Sequence, residues 1–181
     1  MPNWDTYFLT ICNAIASKSP CLSRQIGAII VRENSIISTG YNGPARGLPH
    51  CEPTRMVTVG NKIIAETELV PGKLIPITSP TFTSDVLVCP RKAMGFKSGE
   101  GLEHCPATHA EANCIANAAR LGVSVRGASL YMNTQCPCKD CMSLIVNAGL
   151  SNVIVTDLRP YHRWSLDIAQ YGQVKIRRLE A

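Results

Sequence analysis

Apolar and polar positions along this chain follow two periods, and the switches between them outline the fold. From Trp4 to Ser17, Tyr7, Phe8, Ile11, Ala14 and Ile15 recur at helical spacing, and Asp5 or Thr6 is the expected cap of the first turn. Ile26–Val31 is β-branched and almost wholly apolar, the pattern of a strand covered on both faces. Glu33-Asn34 marks a turn, and Ile36–Thr39 returns as a second strand, which predicts an antiparallel hairpin. Gly40 to His50, with three glycines and two prolines, is a loop. Helical periodicity resumes at Thr108: the Ala-rich run His109–Leu121 predicts a helix ended by Gly122. A strand at Ala128–Met132, a helix at Cys138–Asn147, a strand at Val153–Thr156, a helix at Trp164–Tyr171 and a strand at Val174–Ile176 follow.

The segment 52–102 breaks this order. Short β-like pieces (Met56–Val59, Lys62–Ile64, Lys73–Thr78) lie between Pro and Gly breaks, and it is expected to be an insertion with its own small hairpin. The whole predicts an α/β fold in one domain over residues 1–181: a mixed sheet of about five strands with helices on both faces.

Composition narrows the setting. Among 181 residues 45% are apolar and 17% charged, an ordinary globular balance that excludes general disorder. The net charge of +5 is a mild preference for anionic partners, a phosphorylated small molecule as readily as a nucleic acid. Nine cysteines is a high and odd count, and the start Met1-Pro-Asn-Trp-Asp5 has no export signal. Apolar runs such as Gly27–Val31 are too short to cross a bilayer. The expected setting is therefore the cytoplasm, away from membranes, with reduced thiols of which several bind metal.

Two short motifs carry the chemistry. Thr108-His109-Ala110-Glu111 opens one predicted helix, and Gln135-Cys136-Pro137-Cys138-Lys139-Asp140-Cys141 opens another about 25 residues later. Cys138 and Cys141 are three apart, so both thiols lie on one helix face, where the helix N-terminus favours thiolate. With the imidazole of His109 they make a three-ligand zinc site whose fourth position is open, the mark of a catalytic metal. Such a zinc activates water at neutral pH by lowering its pKa to about 7. Glu111, two residues past the histidine, is the candidate general acid–base. Cys136 is a rival ligand, but Pro137 biases it toward extended backbone and off the helix face. His-x-Glu followed by Pro-Cys-x-x-Cys is the order of residues known from zinc deaminases.

On these residues the chain resembles the cytidine deaminase superfamily and, within it, the deoxycytidylate (dCMP) deaminases of bacterial and phage type. Gln25–Val31 is similar to that family's first strand, Gly40-Tyr-Asn-Gly43 to its substrate loop, and Tyr131–Thr134 with Pro137–Cys141 to its active-site strand and helix. The N-terminal helix ending in Ser19-Pro-Cys21 is similar as well. The resemblance spans about 4–51 and 103–158; within the loop, Gly43–Gly47 departs from the usual pattern. It implies a three-layer deaminase fold and hydrolysis of dCMP to dUMP and ammonia. It also implies that Asn42 contacts sugar or phosphate and that Tyr161 lines the pocket. Arg24 and Arg46, the basic residues nearest these loops, are candidates for the phosphate. Family members are commonly homo-oligomers, often hexamers activated by dCTP and inhibited by dTTP. Bacterial and phage-type members also carry a second, structural zinc, for which Cys21, Cys51 and Cys105, with His104 or Cys89, are the candidates here. Cys12 and Cys114 belong to the core.

Other readings share these motifs. A deaminase of dCTP or a free nucleoside differs only in side chains beyond the zinc. A tRNA adenosine deaminase usually carries an acidic residue before its Pro-Cys and lacks Gly-Tyr-Asn-Gly; Cys136 and Gly40–Gly43 stand against it. The short basic tail of Lys175, Arg177 and Arg178 is the only hint of a nucleic acid, and a solvated strand explains it equally. A zinc-stabilised binding module has no use for Glu111 beside an open ligand position.

Overall fold

Side chains that alternate across one sheet divide the core in two. The computed structural model describes residues 3–50, 54–59, 62–65, 86–97 and 99–180. In chain order the elements are α1 (Trp4–Ala16), β1 (Gly27–Arg32), β2 (Ser35–Tyr41) and β3 (Gly43–Pro44). Next come β4 (Thr54–Val59), β5 (Lys62–Ala65), β6 (Val86–Val88), α2 (Pro90–Ala93) and β7 (Ala107–Thr108). The last are α3 (Ala110–Arg120), β8 (Ser129–Met132), α4 (Lys139–Asn147), β9 (Asn152–Val155), α5 (Arg163–Tyr171) and β10 (Lys175–Arg178).

The chain divides into two compact units, the first containing residues 3–20, 25–44 and 107–180 and the second 21–24 and 45–106. The first is built on a five-stranded sheet of order β10-β9-β8-β1-β2. β2, β1 and β8 pair antiparallel, and β8, β9 and β10 pair parallel. The β1–β2 hairpin turns at Glu33 and Asn34, with φ of 48° and 58°, the positive values that a type I′ turn demands at both centres. On one face Ala28, Ile30, Leu130, Met132, Val153 and Val155 pack with Ala110, Cys114 and Ala118 of α3, Met142 and Ile145 of α4 and Ala169 of α5. On the other, Ile29, Val31, Tyr131 and Ile154 pack with Phe8 and Cys12 of α1. Helices on both faces explain why β1 reads as a continuous apolar run. The expected mixed five-stranded α/β sheet and its helix order are borne out, and Cys12 and Cys114 are buried core thiols, both pushed up to about 12 by desolvation.

Two glycines set how closely the helices lie on the sheet. A Cβ on Gly27 would stand 2.1 Å from the Cys12 carbonyl oxygen, and one on Gly40 would stand 2.4 Å from the Cys114 nitrogen. The cap of α1 corrects the expectation. Asn3, not Asp5 or Thr6, is the N-cap, its side chain accepting from the Thr6 amide at 2.8 Å. Asp5 is already inside the first turn, buried, and accepts from Arg177, the Tyr131 hydroxyl and the Glu180 amide. A residue drawn into that polar cluster is not available to cap.

The two-residue strands β3 and β7 pair antiparallel, Gly43 with Thr108 and Pro44 with Ala107. They join the points where the chain leaves and re-enters the first unit. In the second unit β4 pairs antiparallel with both β5 and β6. β4 and β5 cover the expected pieces Met56–Val59 and Lys62–Ile64; Lys73–Thr78 lies outside the described residues. The short β3, β6, β7 and α2 carry too few residues for a periodic signal. No helix among the described residues is long and apolar enough to cross a membrane.

Candidate metal centre

Two helix starts on the same face of the sheet bring the chemistry together. His109 is the N-cap of α3 and Cys138 the N-cap of α4, both in extended backbone conformation. Neither side chain caps its own helix, so imidazole and thiol are available to a shared ligand. Cys141 lies in the first turn of α4, buried. The Nδ1 of His109 is 3.5 Å from the Cys138 sulfur and 3.4 Å from the Cys141 sulfur. Glu111, only 4% exposed, brings Oε1 to 3.9 Å from the same nitrogen. The four ligand atoms all lie within 4.8 Å of one another, and this is the one group of three or more His, Cys, Asp or Glu so gathered among the described residues.

Cys136 is outside the group. It is 1% exposed in the apolar core of the α3–α4 face, its amide bonds the Asp157 carbonyl, and burial pushes its thiol up to about 11. The residue before Pro137 thus lies apart from the cluster at the helix start, in the direction that Pro137 biases it.

The electrostatics suit a cation. The Cys141 thiol and then His109 stabilise the Cys138 thiolate, which lowers its pKa, while Cys141, facing that charge and buried, is pushed up. The hydrogen bond to Cys138 raises His109 against the opposing effect of burial. Desolvation raises Glu111 above the usual carboxylate range, against the pull of His109. A carboxyl whose proton is held more tightly in this way suits an acid–base role. Two thiols and an imidazole are also the soft and borderline donors that zinc prefers.

The remaining candidates fall in different places. Asn42 is buried, and its backbone amide donates to the Ile26 carbonyl at 3.1 Å. Its Oδ1 accepts from the Ile26 amide at 2.8 Å and its carbonyl accepts from the Ser19 hydroxyl at 2.7 Å. These bonds fasten the loop to the start of β1. Tyr161 is half-buried between β9 and α5, while Arg24 and Arg46 belong to the second unit. Cys21, Cys89, His104 and Cys105 also belong to that unit, and Cys51 lies outside the described residues. Cys89 is buried, and the His104 ring stacks on Phe96 with centroids 5.6 Å apart.

One residue that the sequence reading passed over joins the site to the loop. Asn113 on α3 donates through Nδ2 to the Tyr41 carbonyl at 2.9 Å. The signal was an asparagine, a poor helix former, inside a run of alanines.

A mixed sheet whose His-x-Glu and Pro-Cys-x-x-Cys helix starts face each other defines the class of zinc-dependent deaminases. Residues 2–157 match the family described as "Cytidine and deoxycytidylate deaminase zinc-binding region", and the chain belongs to that family. The cluster and the family together fit a catalytic zinc. The deoxycytidylate deaminase of Saccharomyces cerevisiae is 30% identical over 176 residues, 97% of this chain and 45% of the yeast protein. That of Mycobacterium phage D29 is 30% identical over 158 residues, 84% of this chain and 94% of the phage protein. The chain therefore spans less than half of the yeast relative and nearly all of the phage one. The fold is similar to that of the dCMP deaminase of cyanophage S-TIM5, solved in complex with dCMP and dUMP: TM-score 0.62, 21% identity, 98% of both chains covered.

Proposed function

We propose that this chain hydrolyses dCMP to dUMP and ammonia at a zinc held by His109, Cys138 and Cys141, within a single deaminase domain that carries residues 52–102 as an insertion. The observation that carries the reading is the buried Glu111 carboxylate 3.9 Å from the His109 Nδ1, in a group with only three soft or borderline donors. The names of the yeast and phage relatives, and the nucleotides bound to the cyanophage enzyme, support dCMP as substrate. A zinc held by His109, Cys138 and Cys141 would supply Lewis-acid activation of water. Glu111 would take a proton from the attacking water at its carboxylate, as the water oxygen bonds to the amino-bearing ring carbon, and deliver it to the adjacent ring nitrogen. It would then take the second proton and pass it to the amine as the carbon–nitrogen bond breaks, so that water and dCMP become dUMP and ammonia. Burial of Glu111 keeps those protons from bulk solvent.

Asn42 and Tyr161 are proposed on the substrate side. A second, structural zinc within the second unit is proposed from Cys21, Cys51 and Cys105 with His104 or Cys89. Homo-oligomerisation, response to dCTP and dTTP, and a cytoplasmic setting that keeps the thiols reduced complete the reading.

The test is ammonia release by zinc-loaded protein given dCMP, dCTP, deoxycytidine or a deaminase-substrate tRNA hairpin, with Glu111→Gln alongside. The expected result is turnover of dCMP, and a Glu111→Gln variant that keeps zinc and fold but loses about 10²–10⁴-fold in rate. Turnover of the hairpin alone would overturn the substrate, and normal turnover by Glu111→Gln would overturn the mechanism.

A further inference from the structure

We propose that Asn113 is a positioning residue of this site, fixing the Tyr41–Gly43 loop against the helix start that carries His109 and Glu111. The inference rests on the deaminase reading of the centre.

β2 is an edge strand of the sheet, so every other carbonyl along it lacks a strand partner. α3 lies beside it and supplies the missing donors. The Asn117 Nδ2 donates to the Thr39 carbonyl at 2.8 Å, and the Asn113 Nδ2 to the Tyr41 carbonyl at 2.9 Å. The match is geometric: four residues along a helix rise about 6.0 Å, and two along a strand about 6.6 Å. Asparagines one turn apart therefore meet alternate carbonyls. Gly40, between the two acceptors, lets the backbones approach this closely, since a Cβ there would stand 2.5 Å from the Ala110 carbonyl oxygen.

The two asparagines differ in what else they hold. Asn113 continues past the strand, its Nδ2 reaching the Gly43 carbonyl at 3.3 Å and the Thr108 carbonyl at 3.5 Å. Its own amide donates to the His109 carbonyl at 3.0 Å, the first bond of α3. One residue is thereby tied to the metal-cluster histidine through its backbone and to both neighbours of Asn42 through its side chain. The other side of that loop is fastened by Ser19 and Ile26. Without Asn113 the loop keeps its anchor to β1 but loses its distance from Glu111. Asn117 makes the same kind of bond one turn farther from the site, and is a control built into the helix.

The experiment compares Asn113→Ala with Asn117→Ala in the full zinc-loaded chain. Both are expected to lower the melting temperature similarly and to leave zinc content unchanged. Only Asn113→Ala is expected to raise KM for dCMP, by about tenfold, with kcat changed less than about threefold, as loss of one or two neutral hydrogen bonds implies. Asn113→Asp keeps the shape without the donor and should behave like the alanine variant. Equal KM changes at the two positions, or a wild-type KM in Asn113→Asp, would overturn the assignment. Amide hydrogen exchange at Tyr41–Gly43 gives a readout independent of activity: it should quicken in Asn113→Ala and not in Asn117→Ala. If wild-type protein leaves dCMP untouched, the deaminase reading fails, and the exchange result alone decides whether Asn113 fixes the loop.

Discussion

Cys136, Cys138 and Cys141 lie within six residues and have three different fates, set by backbone before chemistry. Cys136 precedes Pro137 and sinks into the apolar core; Cys138 caps α4 with its backbone and leaves its sulfur to the cluster; Cys141 follows on the same helix face. Cys136→Ala is therefore expected to keep zinc at this centre and lose about 1–2 kcal/mol to the vacated volume. Cys138→Ser should lose most of the metal with a smaller change in the metal-free fold. Metal analysis and urea unfolding of the two variants separate the roles, and zinc loss from Cys136→Ala would reverse the assignment. This much was legible in the sequence, because ligand spacing at a helix start and the restriction before proline are local properties. Asn42 and Asn113 were not. What Asn42 bonds at the start of β1, and what lies beside Asn113, depend on strands brought together across the fold.

At the level of elements, periodic segments were legible and short ones were not. α1, α3, α4, α5 and the five strands of the main sheet follow from apolar spacing and turn residues, with ends displaced by a residue or two. β3 and β7, two residues each, exist only because each finds the other, and no window of sequence records a partner more than sixty residues away. β2 lies close against α3, where Gly40 stands in for any side chain. Gly40→Ala forces a Cβ against the backbone of Ala110 and Cys114, which cannot yield without moving the helix that begins at His109. A loss of about 1–3 kcal/mol is expected in urea unfolding, with weaker zinc retention. An unchanged unfolding midpoint would show that α3 moves freely against the sheet.

For the molecule as a whole, the cluster around Asp5 joins the first helix to the last strand. Its carboxylate accepts from Arg177 and from the Glu180 amide, and the Arg177 guanidinium, ahead of the other groups, holds Asp5 below its ordinary value of 3.8. A depressed carboxyl stabilises the fold fully above its unfolded value, and that contribution is lost as pH falls below 3.8 through the lower folded value. Asp5→Asn should thus cost about 2–3 kcal/mol at pH 7 and flatten the loss of stability as pH falls below 3.8. Thermal melts across that range measure both, and a parallel acid limb in the variant would place the acid sensitivity elsewhere. The β3–β7 ribbon has a consequence for the history of such chains. Because Pro44 and Ala107 are paired neighbours, whatever connects them begins and ends at one place, whatever its length. Closing a flexible connection costs only about 0.6 kcal/mol more for each doubling of its length. Residues 45–106 are therefore a position where descendants of one enzyme can gain or lose whole subdomains while His109, one residue beyond the ribbon, keeps its place.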